Sequence, residues 1–380
     1  MTGERRAAVV VGLGNVGSQL VPLLARSHAF GALTLVDPDV YDVGNIRTQN
    51  ICATDVGQPK SSVQSRIVAG IDPTIIVTPI RAAIEDVPLG RLRADVYFSA
   101  PDTRRARQHV NRIVWRFGAH AAAWIDAGIE PTAGLMRVSL FRPHPDQPCL
   151  ECGWGPDDYR ILGESFSCLD TQAVTPHTNG PPALGALAAA RMALLAEQIV
   201  APNDAGPEWG AQITMAVREH RLAVTRFARN PACRFDHSLL PVSSDSISVA
   251  VTLGHAVDAC SAAGVDGSWR LTVDGCLFAR ALRCTVCGDV QRGLTIVRPW
   301  AGAATACVCG QPLKAMPADL MEAATSGVAT PNDMERTLAD MGLQPSDFLL
   351  MSDGRDDQVI ELLSPCPRDT SWPTSVRTGT

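Results

Sequence analysis

The stretch AAVVVGLGNVGSQL (residues 7–20), followed by LTLVDPDVYDVGNIRTQN (33–50) and DVGQPK (55–60), decides how this chain folds. Its first part reads as a strand, a glycine turn and a helix start. Gly12, Gly14 and Gly17 stand in the G-x-G-x-x-G spacing that lets a backbone turn tightly and approach a phosphate at a helix N-terminus. Asp37 follows twenty residues after Gly17, at the end of an apolar run, where a carboxylate can hold ribose hydroxyls. An Asn/Arg/Gln cluster and then a lysine come next. Arginine forks match phosphate oxygens and lysine supplies a point charge, so the set suits an enzyme that handles a triphosphate.

Outward from this stretch, candidate strands AAVVVG, LTLVDP, IIVTPI, DVYFSA and AAWIDAG alternate with helical patterns starting at Val16, near Lys60 and at Thr103. That alternation predicts a doubly wound parallel sheet. From Leu135 the runs MRVSLFRP and ITMAVREHRLAVTRFARN alternate as antiparallel strands do. A loop-rich stretch (153–182) and a helix near 183–200 lie between them. A composition break at SLLPVSSDSIS (238–248) reads as a linker. The remainder reads as a smaller α+β module, in which MERTLADM (334–341) looks helical, and the Pro/Ser/Thr-rich tail is expected to be disordered.

The 380 residues are 46% hydrophobic and 19% charged, with a net charge of −6. These values suit a soluble chain of two or three domains and argue against nucleic acid as the main partner. ALGALAAARMALLAEQIVA is broken by Arg191 and Glu197 and reads as a buried helix, with no membrane span. The N-terminus runs directly into the first strand without a secretory signal, so a cytoplasmic location is expected. Twelve cysteines in that setting read as metal ligands or catalytic thiols before disulfides.

The combination Asp37-Pro-Asp39, Asn45-Ile-Arg47-Thr-Gln49 and Gly57-Gln-Pro-Lys60 resembles the ThiF/MoeB family, the ATP-dependent adenylyltransferases related to ubiquitin-activating enzymes. A second block supports it: Pro101-Asp102 after a strand, then Arg107 and Asn111. The resemblance covers about residues 7–237. It implies a Rossmann-like, mostly parallel sheet extended by antiparallel strands, with an ATP-binding adenylation domain at 1–240; beyond it, cysteine spacing and composition give a zinc-ribbon-containing domain at 249–363 and a disordered tail at 364–380. It further implies that Asp37 holds the ribose, Arg47 and Lys60 carry charge to the phosphates, and Asp102 holds Mg2+. Asp39, Asn45, Gln49, Arg107 and Asn111 complete the cofactor-binding set. Asn45 and Gln49 also read as turn residues, and Arg107 and Asn111 as structural groups of a helix face.

The reaction so implied is attack of a C-terminal carboxylate on the α-phosphate of ATP. The carboxylate belongs to a ubiquitin-like or sulfur-carrier protein, in a homodimer that can hand its product to a downstream transfer protein. Two features depart from the family pattern. Arg47 stands two residues after Asn45, with Thr48 where the arginine is expected, which leaves Arg47 and Arg104 as candidates. The N-terminal helix that donates an arginine in homodimeric relatives has no counterpart among the eleven residues before Gly12. A nicotinamide-dependent oxidoreductase and a catalytically lapsed adaptor are the rival readings.

The cysteines sort by spacing. Cys149-x-x-Cys152 with Cys233-x3-His237 is the expected first structural zinc site, the alternative being a surface His237 and another cysteine as the fourth ligand. Cys284-x-x-Cys287-Gly and Cys307-x-Cys309-Gly have the layout of a zinc ribbon, against a pair of free or redox thiols. The resemblance implies that Cys168, ahead of the helix near 183–200, is an acceptor for the activated acyl group; read alone it is a packed thiol or zinc ligand.

Overall fold

The computed structural model describes residues 5–118, 120–163, 180–200, 207–240, 246–259, 267–298, 306–353 and 357–365. Cys168 and most of the 364–380 tail lie outside the described residues. Two compact units divide the chain: Met1–Val87 with Leu92–Leu240, and Pro88–Arg91 with Pro241–Thr380.

The first unit is built on one eight-stranded sheet. Strands β1 (Arg6–Val11), β2 (Phe30–Val36), β3 (Ile76–Ile80), β4 (Val96–Ser99) and β5 (Ala123–Glu130) alternate with helices α1 (Asn15–Arg26), α2 (Lys60–Ile71) and α3 (Arg104–Arg116). Beyond them come β6 (Leu135–Phe141), α4 (Pro156–Gly163), α5 (Pro182–Val200), β7 (Ala211–Ala216) and β8 (Arg221–Arg226). The spatial order is β3-β2-β1-β4-β5-β6-β7-β8. The β3-to-β5 part is parallel and β5-to-β8 is antiparallel. β1, β2 and β4 are apolar runs because helices cover both faces, and β4 is buried at every residue, whereas the edge strand β3 is partly exposed. Strand order reverses between β1 and β4, and the crevice at their carboxyl ends is where ligands bind in such sheets. By length and composition α5 is apolar enough to cross a membrane. Here Ala188, Ala189 and Met192 are fully buried in the core shared with Leu20 and Leu24 of α1 and Ile125 of β5.

The second unit contains β9 (Ser246–Ser248), α6 (Leu253–Ala259), β10 (Arg270–Val273), β11 (Leu277–Cys284), β12 (Val290–Val297) and β13 (Leu313–Ala315). It continues with β14 (Leu320–Met321), β15 (Ala324–Thr325), α7 (Pro331–Glu335), β16 (Phe348–Ser352) and β17 (Asp357–Leu363). One sheet runs β15-β10-β16-β17-β9; the other runs β12-β11-β13, with β14 also on β11. Two segments differ from the sequence reading. β9 lies within the span read as linker and pairs in parallel with β17. The helix expected over 334–341 stops early: Arg336 takes an extended conformation, and the amides of Leu338 and Ala339 donate to the carbonyls of Val251 and Val249. Pairing with a neighbouring segment outweighs helical propensity there.

Candidate functional site

The glycine turn is dictated by backbone crowding. Gly12 has φ +85°, which a side chain strains, and a Cβ there would lie 2.8 Å from the Ala100 carbonyl carbon. A Cβ on Gly17 would strike the carbonyl oxygen of Gly12. Helix α1 therefore starts hard against the ends of β1 and β4. Gly14 is its N-cap without a side-chain bond, and its first turn holds no acid. The free amides of that turn suit an anion.

Asp37 closes β2 and is buried. Its Oδ2 accepts from the Leu13 amide at 2.6 Å and its Oδ1 from the Asp39 amide at 2.9 Å. It thereby ties the glycine turn to the next loop, and burial pushes its carboxyl pKa up. Lys60 opens α2 with its side chain only 10% exposed; its Nζ donates to Asp39 Oδ2 at 2.8 Å and stands 3.9 Å from Asp37 Oδ1. Tyr41, unremarked in the sequence, supports this corner. It donates to the Leu13 carbonyl at 3.0 Å, accepts from Gln64 at 2.9 Å and lies under the Lys60 ammonium.

The Asn/Arg/Gln cluster forms a short 3-10 turn over Val43–Arg47. Asn45 and Asp42 cap one another reciprocally, each side chain accepting from the other's backbone amide at 3.0–3.1 Å. That geometry matches the turn-residue reading of Asn45. Gln49 is buried, and its Oε1 has no partner among the described residues. Thr48 is buried, whereas Arg47 is exposed. Arg104 is engaged in an ion pair with Asp158 of α4, and Arg5 donates to Asp72 at 3.1 Å and Thr74 at 2.8 Å.

Asp102 lies three residues past β4, exposed, with no hydrogen bond or ion pair among the described residues. Arg107 points inward. It donates to Asp126 of β5, to the Ala127 carbonyl at 2.8 Å and to the Pro101 carbonyl at 2.7 Å, and burial lowers its pKa. Asn111 is fully buried; it accepts from the Leu150 amide at 3.2 Å and donates to Glu151 at 3.4 Å. These contacts match the structural reading of both residues. Asp126 itself escaped the sequence reading. It is completely buried and accepts from Ser99 Oγ at 2.6 Å, from Arg107, and from Arg137 of β6 at 3.3 Å. No local motif announces it, because its partners come from three other elements.

Each of the two expected cysteine clusters converges, its four ligand atoms lying within 4.8 Å of one another. In the first, Cys149 Sγ is 3.8 Å from Cys152 Sγ and 3.7 Å from Cys233 Sγ, and Cys152 Sγ is 3.5 Å from His237 Nε2. A tetrahedron with metal–sulfur bonds of about 2.3 Å has edges of about 3.8 Å, so the set fits one ion. Burial and Arg229 lower His237 to about 4, which keeps the imidazole neutral and able to ligate. The loop that carries it is fastened to α3 by Arg116, which donates to Asp236 at 2.9 and 3.1 Å and to the Ser238 carbonyl at 2.7 Å.

In the second cluster, Cys284 and Cys309 are 3.5 Å apart and Cys287 and Cys307 3.4 Å apart. Gly288 and Gly310 adopt φ +77° and +82°, as knuckle turns require. The amides of Cys287 and Val286 draw the Cys284 thiol down to about 6.

A ThiF family model matches residues 4–292. The molybdopterin-synthase adenylyltransferase of Escherichia coli is 28% identical over 172 residues, 44% of this chain and 65% of that protein. Its Salmonella typhimurium namesake is 27% identical over 234 residues, 59% and 84% respectively. The SAMP-activating enzyme E1 of Haloferax volcanii is 30% identical over 147 residues, 38% and 52%. The chain thus spans about two thirds of the first of these relatives and about half of the third. With a glycine turn at a doubly wound sheet's switch point, and a family match over most of its length, this chain belongs to the ThiF family.

Proposed function

We propose that this chain adenylates the C-terminal carboxylate of a ubiquitin-like or sulfur-carrier protein, releasing pyrophosphate. The observation that supports this reading most is the set of groups at the carboxyl ends of β1, β2 and β4. A glycine turn with free amides, the enclosed Lys60 ammonium and the unpartnered Asp102 carboxylate all occur there. The carboxylate nucleophile is already ionised at neutral pH, so the reaction asks for in-line positioning and charge neutralisation rather than a general base. In this reading a carboxylate oxygen bonds to the α-phosphorus as its bond to the bridging oxygen breaks, and pyrophosphate departs. The amides of α1 and Lys60 receive the phosphates, while Asp37 orients the ribose. Asp102 is the acid that would hold magnesium, which withdraws charge from the leaving group.

Zinc is the metal we propose for both cysteine clusters. With four protein ligands each, they leave no open position, so both serve structure. A cytoplasmic setting follows from the same proposal, since clustered thiols suit a reducing compartment. A second copy of the chain is proposed to cover the exposed apolar side chains Val43 and Ile46 beside the site. Transfer to Cys168 is the proposed sequel.

The test is exchange of labelled pyrophosphate into ATP, driven by a ubiquitin-like protein ending in Gly-Gly. Exchange should vanish when that terminus is amidated and fall at least about 100-fold in Asp102→Ala. Exchange that survives amidation would defeat the proposal, and nucleotide binding without any exchange would favour the adaptor.

A further inference from the structure

We infer that Arg137 is a substrate-binding residue that receives a carboxylate from the last residues of the protein to be activated. The inference rests on the adenylation reading above and goes beyond it by naming the group that grips the substrate's tail.

Arg137 lies on β6 opposite Gly128 of β5. Gly128 is two residues beyond Asp126, which pairs with Ser99, the last residue of β4. Arg137 therefore stands past the carboxyl end of β4, on the side of the sheet where the glycine turn approaches Ala100 and Pro101. Its side chain remains 34% exposed.

A structural role as counter-ion to Asp126 does not account for it. Asp126 already has Arg107, a buried guanidinium, and the Ser99 hydroxyl at 2.6 Å. Arg107 also feels the Asp102 carboxylate, whereas Arg137, the exposed member of the trio, has no second acid within ion-pair distance among the described residues. Among the described residues, Arg137 forms one hydrogen bond, from Nη1 to Asp126 at 3.3 Å, so Nε and Nη2 keep their donors for another group.

The neighbouring backbone is shaped to suit. A Cβ at Gly128 would lie 3.1 Å from Arg137 Nε and 3.4 Å from both Arg137 Nη2 and Arg107 Nη2. Glycine there lets the guanidinium lie close over β5. A flat, anchored fork whose Nε–Nη2 edge is free is the geometry that takes a carboxylate. It stands at the same edge of the sheet as the glycine turn, where the reading above puts the nucleotide. The carboxylate has two sources: the terminal group itself, or an acidic side chain just before it.

Calorimetry distinguishes them on the full chain with magnesium and α,β-methylene-ATP. The probes are N-acetyl-Glu-Gly-Gly, its C-terminal amide and N-acetyl-Gln-Gly-Gly. We expect the first peptide to bind the nucleotide-loaded protein at least tenfold more tightly than it binds Arg137→Gln, with Arg137→Lys between them. Both variants should take up the nucleotide analogue as the wild type does and keep its melting midpoint within a few degrees. Weak binding of the amide would assign Arg137 to the terminal carboxylate, and weak binding of the Gln peptide would assign it to the side chain. Equal peptide affinity in wild type and Arg137→Gln, or no peptide binding by the loaded wild type, overturns the inference. Failure to bind the nucleotide analogue would instead overturn the adenylation reading beneath it.

Discussion

The two cysteine clusters each gather four potential metal ligands, three thiols and an imidazole in the first and four thiols in the second, and differ in what they hold together. The first joins Cys149 to Cys233, 84 residues apart, and is embedded in its unit: Glu151 accepts from Gln108 and Asn111 of α3, and Arg116 of α3 clamps the loop of His237. The second joins cysteines 20 to 25 residues apart, around a satellite core of Ala279, Leu282, Cys284, Cys307 and Leu313. Its knuckles project outward, with Val308 97% exposed. A long-range site constrains a large loop and neighbouring elements with it, whereas a local site holds chiefly itself.

The largest effect that would sharpen this contrast is removal of a cysteine of the first cluster. If zinc fills the first cluster as proposed, Cys233→Ser should destabilise the first unit by several kcal/mol, and ATP binding should be lost with the fold. Cys287→Ser should melt only the ribbon in hydrogen exchange and leave ATP binding unchanged. Equal losses in both variants would break the distinction.

A smaller effect concerns pH. Burial raises the Cys149 thiol above its ordinary value; in the second cluster backbone amides lower Cys284 to about 6, while neighbouring thiols and burial raise Cys287 and Cys307. Metal binding releases the thiol proton, so each cluster holds a thiol whose raised pKa weakens it as pH falls. During acid titration both clusters should release zinc, as followed by a chromogenic chelator. Retention that does not depend on pH would contradict the assigned environments.

The smallest expected effect is at Asn45, in the turn Val43–Arg47. Asn45→Ala removes half of a reciprocal cap, and should lower stability by about 1 kcal/mol in denaturant melts. Nucleotide affinity should shift only a few-fold. A loss as large as that of Asp102→Ala would mean that Asn45 touches the nucleotide.

The legible parts were those written in local periodicity. The apolar runs of β1, β2 and β4, the glycine spacing and the CxxC pairs are each complete within a few residues, and the strands and ligand sets lie where the spacing put them. Orientation was less legible. Arg107 and Asn111 sit on α3 where a ligand-facing reading is natural, yet Asp126 and Glu151 draw them inward from β5 and from the turn after Cys149. Such partners are 19 and 40 residues away, and no spacing rule links them. The 334–341 segment shows the same limit for secondary structure: its helical pattern gave way to backbone bonds with Val249 and Val251.

The central claim, a magnesium–ATP site at the glycine turn, is tested most directly by thermal melts of wild type and Asp102→Ala, each titrated with ATP–magnesium and with NAD. Because a ligand of the native state raises its stability by mass action, no partner protein is needed. The account predicts a concentration-dependent rise with ATP–magnesium in the wild type, much reduced in Asp102→Ala, and no rise with NAD. Stabilisation by NAD alone, or by neither nucleotide, would contradict it.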